Sequence, residues 1–107
     1  MPYNEELDSR IGQAIAGWKT TRKKMFGGTC HILNGHMLCG VYKDFLVLRL
    51  GDDAGTQALE APYVRCFDIT GRPMAGWVMV EAPGYQGDAL ERWLAKARAY
   101  VETLPAK

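Results

Sequence analysis

No run of about 20 apolar residues occurs in this chain, so nothing in it reads as a membrane-spanning helix. Serine occurs once, as Ser9, and histidine twice, as His31 and His36. Ser9 falls in a predicted first helix, far from either histidine, which argues against serine-nucleophile catalysis. Cysteine is scarce, at three residues. The first residues, Met1 to Leu7, are polar and acidic rather than leader-like, so a cytoplasmic setting with reduced thiols is expected. Charge of one sign is also missing: 13 Lys and Arg against 12 Asp and Glu leave a net +1. Proteins that hold duplex DNA by phosphate neutralisation usually carry a basic face. Gly27-Gly28 lacks the strand-loop-helix context and the following Lys-Ser/Thr of a phosphate loop. Those glycines read instead as a bulge or a close backbone approach.

What is present suits one folded unit. With 107 residues, 48% of them apolar and 23% charged, residues 1–107 form a single domain. Such a chain buries enough surface to need neither metal nor disulfide. Asn4 is placed to cap a first helix whose apolar stripe is Leu7, Ile11, Ala14, Ile15 and Trp18. Three strands are expected next, at about Lys24 to Leu33, His36 to Tyr42 and Phe45 to Leu50. Asp52 or Asp53 would cap a short helix ending before Pro62. Strands at Tyr63 to Ile69 and Met74 to Val80 would flank the turn Thr70-Gly71-Arg72-Pro73. A final helix is expected from Asp88, with Glu91 as capping-box partner and Pro105 as its stop. The order α-β-β-β-α-β-β-α, joined by short turns, predicts an α+β, two-layer fold: an antiparallel sheet packed against helices.

Asn34-Gly35 between apolar runs is a strong hairpin signal, because both residues tolerate positive φ. A two-residue loop there places Ile32 opposite Met37, His31 opposite Leu38 and Cys30 opposite Cys39. If Lys43-Asp44 is also a two-residue turn, Val41 faces Leu46 and Cys39 faces Leu48. A three-residue loop would flip that strand. The first register puts Cys30, Ile32, Met37, Cys39, Val41, Leu46, Leu48 and Leu50 beneath the helices. The opposite face then holds Leu33, Leu38, Tyr42, Phe45 and Val47, with His31, His36 and Arg49 toward its rim. That face is too apolar for a wet surface, and a two-fold homodimer through it is the expected solution. Val47→Asp would on this reading give a folded monomer. Arg72, at the tip of its turn, is a further candidate partner contact.

Lys24-Met25-Phe26-Gly27-Gly28, Asn34-Gly35-His36-Met37 with Gly40, Leu48-Arg49, Gly71-Arg72-Pro73-Met74 and Trp77 stand in the order found in one family. Together with the Trp93 helix and Leu104-Pro105, this set resembles the TfoX (Sxy) N-terminal domain over nearly the whole chain. The resemblance implies a secretion-chaperone-like α/β fold. It also implies a part in regulating competence genes, alongside the cAMP receptor protein. Full-length regulators carry a second, C-terminal domain, and this sequence ends at Lys107, so a stand-alone domain is expected. Transcriptional regulation of competence-type genes is therefore an expectation that rests on the resemblance alone, and no catalytic residues come with it.

The chemistry-bearing residues support the bland reading. Cys30 and Cys39, as a cross-strand pair, would lie within disulfide reach, but two small buried hydrophobes is the favoured assignment, with a redox switch as the alternative. Cys30 and His31 point to opposite faces and cannot act together. His31 and His36 share a face but lack a third ligand, so no metal and no cofactor is expected. Lys19, Arg22, Lys23 and Lys24 read as a solvated helix end, and tight nucleic-acid binding is not expected. A small non-enzymatic protein acting by protein-protein contact follows, with the transcription machinery as partner by resemblance. A small-ligand or enzymatic domain is the alternative.

Overall fold

In the computed structural model, which describes residues 4–25, 28–67 and 76–105, Asn4 caps helix α1 (Glu5–Ala14). Its side-chain oxygen accepts the Leu7 amide at 3.0 Å, satisfying one of the helix's orphan donors. Where one strand is expected from Lys24 to Leu33, two are found: β1 (Thr21–Met25) and β2 (Gly28–Leu33), paired antiparallel. Arg22, Lys23 and Lys24 therefore lie on an edge strand and not at a helix end. The chain leaves α1, turns through Lys19 at φ 59°, and enters the sheet there. Strands β3 (His36–Tyr42) and β4 (Phe45–Arg49), helix α2 (Asp52–Ala58), and strands β5 (Val64–Cys66) and β6 (Trp77–Val80) follow. A 3₁₀ turn at Ala82–Tyr85 leads into α3 (Ala89–Val101). The strands form one six-stranded antiparallel sheet in the order β1-β2-β3-β4-β6-β5. The α+β class and order are as expected, with the first strand divided. The turn at 70–73, and Arg72 with it, lies outside the described residues.

Both expected two-residue turns are present. Asn34 and Gly35 take φ 56° and 84°, as a type I′ turn requires. Lys43-Asp44 puts Val41 opposite Leu46 and Cys39 opposite Leu48. The register between β2 and β3 changes partway, however. Leu33 pairs with His36 and Ile32 with Met37, but His31 then pairs with Cys39 and Cys30 with Gly40. Leu38 is the extra residue of a bulge, and a one-residue slip sends every side chain beyond it to the other face. Leu38 and Cys39 both enter the helix-covered core. Gly40 and Gly28 suit the resulting close approach. A Cβ at Gly28 would overlap the Val41 carbonyl oxygen, so the close-approach reading of that glycine holds.

Helices α1 and α3 cover one face. Leu7 and Ile11 from the first, with Ile15 at its C-cap, and Leu90, Leu94, Ala97 and Val101 from the second, meet Val41, Leu46, Leu48, Val78 and Val80. The other face carries a smaller cluster of Val47, Phe67 and Met79, flanked by Met37, Tyr42, Phe45 and Trp77. Two capping expectations are corrected. Gly51, at φ 86°, is the N-cap of α2, and Asp52 and Asp53 fall inside its first turn. Asp88 precedes α3 but makes no side-chain cap bond, because its backbone is already helical (φ −67°, ψ −14°).

Candidate functional site

The bulge redistributes the expected partner surface. Leu33 and Leu38 lie in the helix-covered core, at 6% and 0% exposure, and are not surface residues. Val47 is on the opposite face but only 1% exposed, covered by Phe67 and Met79 of its own chain. Tyr42 and Phe45 lie on that face partly exposed, with Lys43 and Arg65 respectively over their rings. Arg49 sits between the rings of Trp77 and Tyr100, at 5.3 and 5.9 Å. The set read as one patch is thus divided between two faces and one end of the sheet.

His31 and His36 also move to the helix side. There His31 joins a buried polar cluster that the sequence reading missed. Asp8, on α1, accepts from Thr29 Oγ1 at 2.8 Å and from His31 Nε2 at 3.0 Å through one carboxylate oxygen. Its other oxygen accepts from Arg22, Nε at 2.9 Å and Nη2 at 2.7 Å. Burial pushes the Asp8 pKa up, but hydrogen bonds from Arg22, His31 and Thr29 outweigh it and hold the carboxyl below its ordinary range. Asp8 flanks Leu7 and Ile11 on the helix, so a carboxylate beside the apolar stripe was the available signal. His36 is spoken for separately, its Nε2 donating to the Pro105 carbonyl at 2.6 Å. Among the described residues no group of three metal-ligating side chains forms.

The cysteine pair is corrected by the same slip. Cys39 points into the helix-covered core, while Cys30 shares the opposite face with Gly40 and Val47. All three thiols are free, and the redox-switch alternative loses its geometry. Burial, then Cys30 and Asp8 nearby, pushes the Cys39 thiol far above its ordinary range, and burial also raises Cys30. Cys66 is partly exposed. Folded protein should therefore give a fast reaction with a thiol reagent at Cys66 alone, the other two reacting after denaturation. Rapid labelling of Cys39 in the folded state would contradict this burial.

A groove of about 390 Å³ opens between the sheet end and α3. One wall is Ala61, Pro62 and Tyr63, just before β5, with Pro83 and Gly84 of the 3₁₀ turn. The other is the α3 stripe Ala89, Arg92, Trp93 and Lys96, spaced i, i+3, i+4, i+7 and so on one helix face. Trp93 is held by its indole N–H, which donates to the Gly84 carbonyl at 3.0 Å. Gly84 admits no side chain: a Cβ there would lie 2.7 Å from Val80 Cγ1 and 3.1 Å from Tyr63 Cβ. Tyr63 has φ 68°, unusual for an aromatic residue, and its carbonyl accepts the Glu81 amide at 2.7 Å. Its side chain is 49% exposed. Sequence reasoning missed this groove because Pro62 reads only as the stop of a helix, and nothing in the spacing joins it to Pro83, Gly84 and the α3 face.

These features define a class: an antiparallel sheet with helices on one face, a closed polar cluster beneath α1, and an open apolar groove beside α3. The TfoX N-terminal domain model matches residues 16–100, and the chain belongs to that family, which is not a known enzyme family. Neither a curated protein nor a solved structure matches the chain significantly. Among the described residues no helix is long and apolar enough to cross a membrane.

Proposed function

We propose that this TfoX N-terminal domain is a non-enzymatic contact module, acting in the cytoplasm on transcription of competence-type genes by binding protein. The observation that carries the reading is the exposure of Leu59 (43%) and Tyr63 (49%), which fall together on the segment leading into the groove. Exposed apolar side chains gathered at one place favour association. The Asp8–His31 pair supports the non-enzymatic part. Both carboxylate oxygens are taken by the protein, and the His31 side chain is 4% exposed. For nucleic acid, Lys23 and Lys24 are register partners of Cys30 and Thr29, so they face opposite sides of the sheet and form no single basic face.

Purified chain, mixed with purified RNA polymerase and separately with cAMP receptor protein, should co-elute with one of them on a sizing column at micromolar concentration. Absence from both, with a salt-dependent DNA mobility shift abolished by Lys23→Ala and Lys24→Ala, would replace protein contact by nucleic-acid binding. The groove volume also falls at the low end of small-molecule sites, which favours small-ligand binding as the second reading.

A further inference from the structure

The groove between Tyr63 and Trp93 carries a chemistry more specific than an apolar cleft. Its lining includes two cations, Arg92 and Lys96, and no acid. Neither cation forms an ion pair among the described residues, whereas Arg22, Arg65 and Arg98 each do. Lys96 Nζ instead sits 5.4 Å from the centre of the Trp93 ring. The remaining lining is apolar and stiff: Pro62 and Pro83 on one side, and Trp93, fixed by its bond to Gly84, on the other. Two unpaired positive charges beside a preformed apolar wall favour an occupant that is acidic and apolar together.

The dimensions favour an extended chain. Ala89 to Lys96 covers roughly 10 Å of helix axis at about 1.5 Å per residue. An extended peptide covers that length with about three to four residues. Single-stranded nucleic acid fits less well. It needs a tracked basic groove and a succession of free aromatic faces, while this groove offers two cations, two prolines, a single half-exposed ring at Tyr63, and an indole already engaged through its N–H and with Lys96 over its ring.

Tyr63 supplies a second, independent observation. Its left-handed backbone costs free energy in a bulky residue, and such strain persists where the surroundings enforce it, often at binding positions. A glycine would meet the backbone requirement without strain. With the ring half exposed, core packing alone does not account for an aromatic side chain here. We propose that the groove binds a short, extended acidic peptide segment of a partner protein, an apolar side chain resting between Tyr63 and Trp93 and a carboxylate meeting Arg92 and Lys96. This deepens, and rests on, the protein-contact reading.

The probe is a phage-displayed library of random twelve-residue peptides selected on the purified chain, with binding of the enriched peptides measured by fluorescence anisotropy. Enriched sequences should combine Asp or Glu with Pro, Leu or an aromatic residue. A contact this short should be weak, with Kd of about 10–100 μM. Tyr63→Gly should weaken binding about tenfold or more while the melting temperature stays within about 4 °C of the parent. Arg92→Glu with Lys96→Glu, both exposed, should abolish binding of acidic peptides, and Lys23→Ala, on the far edge of the sheet, should change nothing. If Tyr63→Gly unfolds the chain, the charge-reversal pair decides the matter alone. Enrichment of basic or uncharged peptides, binding that survives both variants, or tighter binding of a dT12 oligonucleotide would each overturn the proposal. Co-elution with RNA polymerase or cAMP receptor protein that survives both variants would remove the groove and keep the contact reading. Loss of co-elution for the unmodified chain would remove the contact reading itself.

Discussion

Asp8→Ala should destabilise the domain by about 3 kcal/mol, read as a lower urea midpoint at unchanged slope. Asp8 is a helix residue whose carboxylate ties α1 to the two strands beneath it through Thr29, His31 and Arg22. Removing it leaves the Thr29 hydroxyl and the His31 imidazole without their acceptor in a site where both residues are buried. A buried polar group stripped of its partner costs about 1–3 kcal/mol. Arg22 contributes less, because its side chain is 46% exposed and water replaces the carboxylate easily. Arg22→Ala should therefore cost less than about 1 kcal/mol. Equal losses for the two variants would show that the ion pair, and not the buried hydrogen bonds, holds the cluster.

The same cluster fixes a pH dependence. The Asp8 carboxyl titrates below its ordinary value of 3.8 in the folded chain. A carboxylate with a lowered folded-state pKa stabilises the fold fully above the unfolded value and loses that contribution as pH falls through the folded value. The stability gap between the parent and Asp8→Ala should be widest above about pH 4 and should narrow below it. A gap that stays constant down to pH 2 would mean that the carboxylate's ionisation does not matter.

How much of this was legible depends on which signals are local. Asn34-Gly35 gave the hairpin because only φ above zero closes that turn, and the i, i+4, i+7, i+8 spacing of Leu7, Ile11, Ala14 and Ile15 gave the core face of α1. The bulge at Leu38 was illegible, since one extra residue in an apolar strand leaves no mark on composition. Its consequence was large: it reversed Leu33, Leu38, His31 and Cys30 while leaving Tyr42 and Phe45 where the hairpin rule placed them. Strand β1 was hidden because Arg22, Lys23 and Lys24 look like solvated helix-end charges. They suit an edge strand, where charged side chains discourage further pairing, and Arg22 turns inward to Asp8. The groove joins residues 61–63, 83–84 and 89–96, and no periodicity connects three such segments.

Val47→Asp should unfold the chain rather than yield a folded monomer. In the uninterrupted register Val47 belonged to an open patch, where a new charge would meet water. It is instead 1% exposed, packed with Phe67 and Met79, beside the Phe67–Trp77 stack at 5.8 Å between ring centres. A carboxylate there replaces an apolar side chain and is desolvated among apolar neighbours. That penalty of several kcal/mol rivals the whole stability of a small domain, about 5–15 kcal/mol. Phe45→Asp on the same face makes the contrast. Phe45 is partly exposed, so a carboxylate there keeps contact with water, and the Arg65 guanidinium, already paired with Glu81, lies 5.9 Å from its ring. This variant should cost about 1–2 kcal/mol, mainly lost apolar burial, and remain folded. Circular dichroism with light scattering on a sizing column separates the cases. A folded, cooperatively melting Val47→Asp protein would mean that Phe67 and Met79 do not close over this face in solution. If the parent is a dimer that Phe45→Asp leaves intact, that dimer is not built on this side of the sheet.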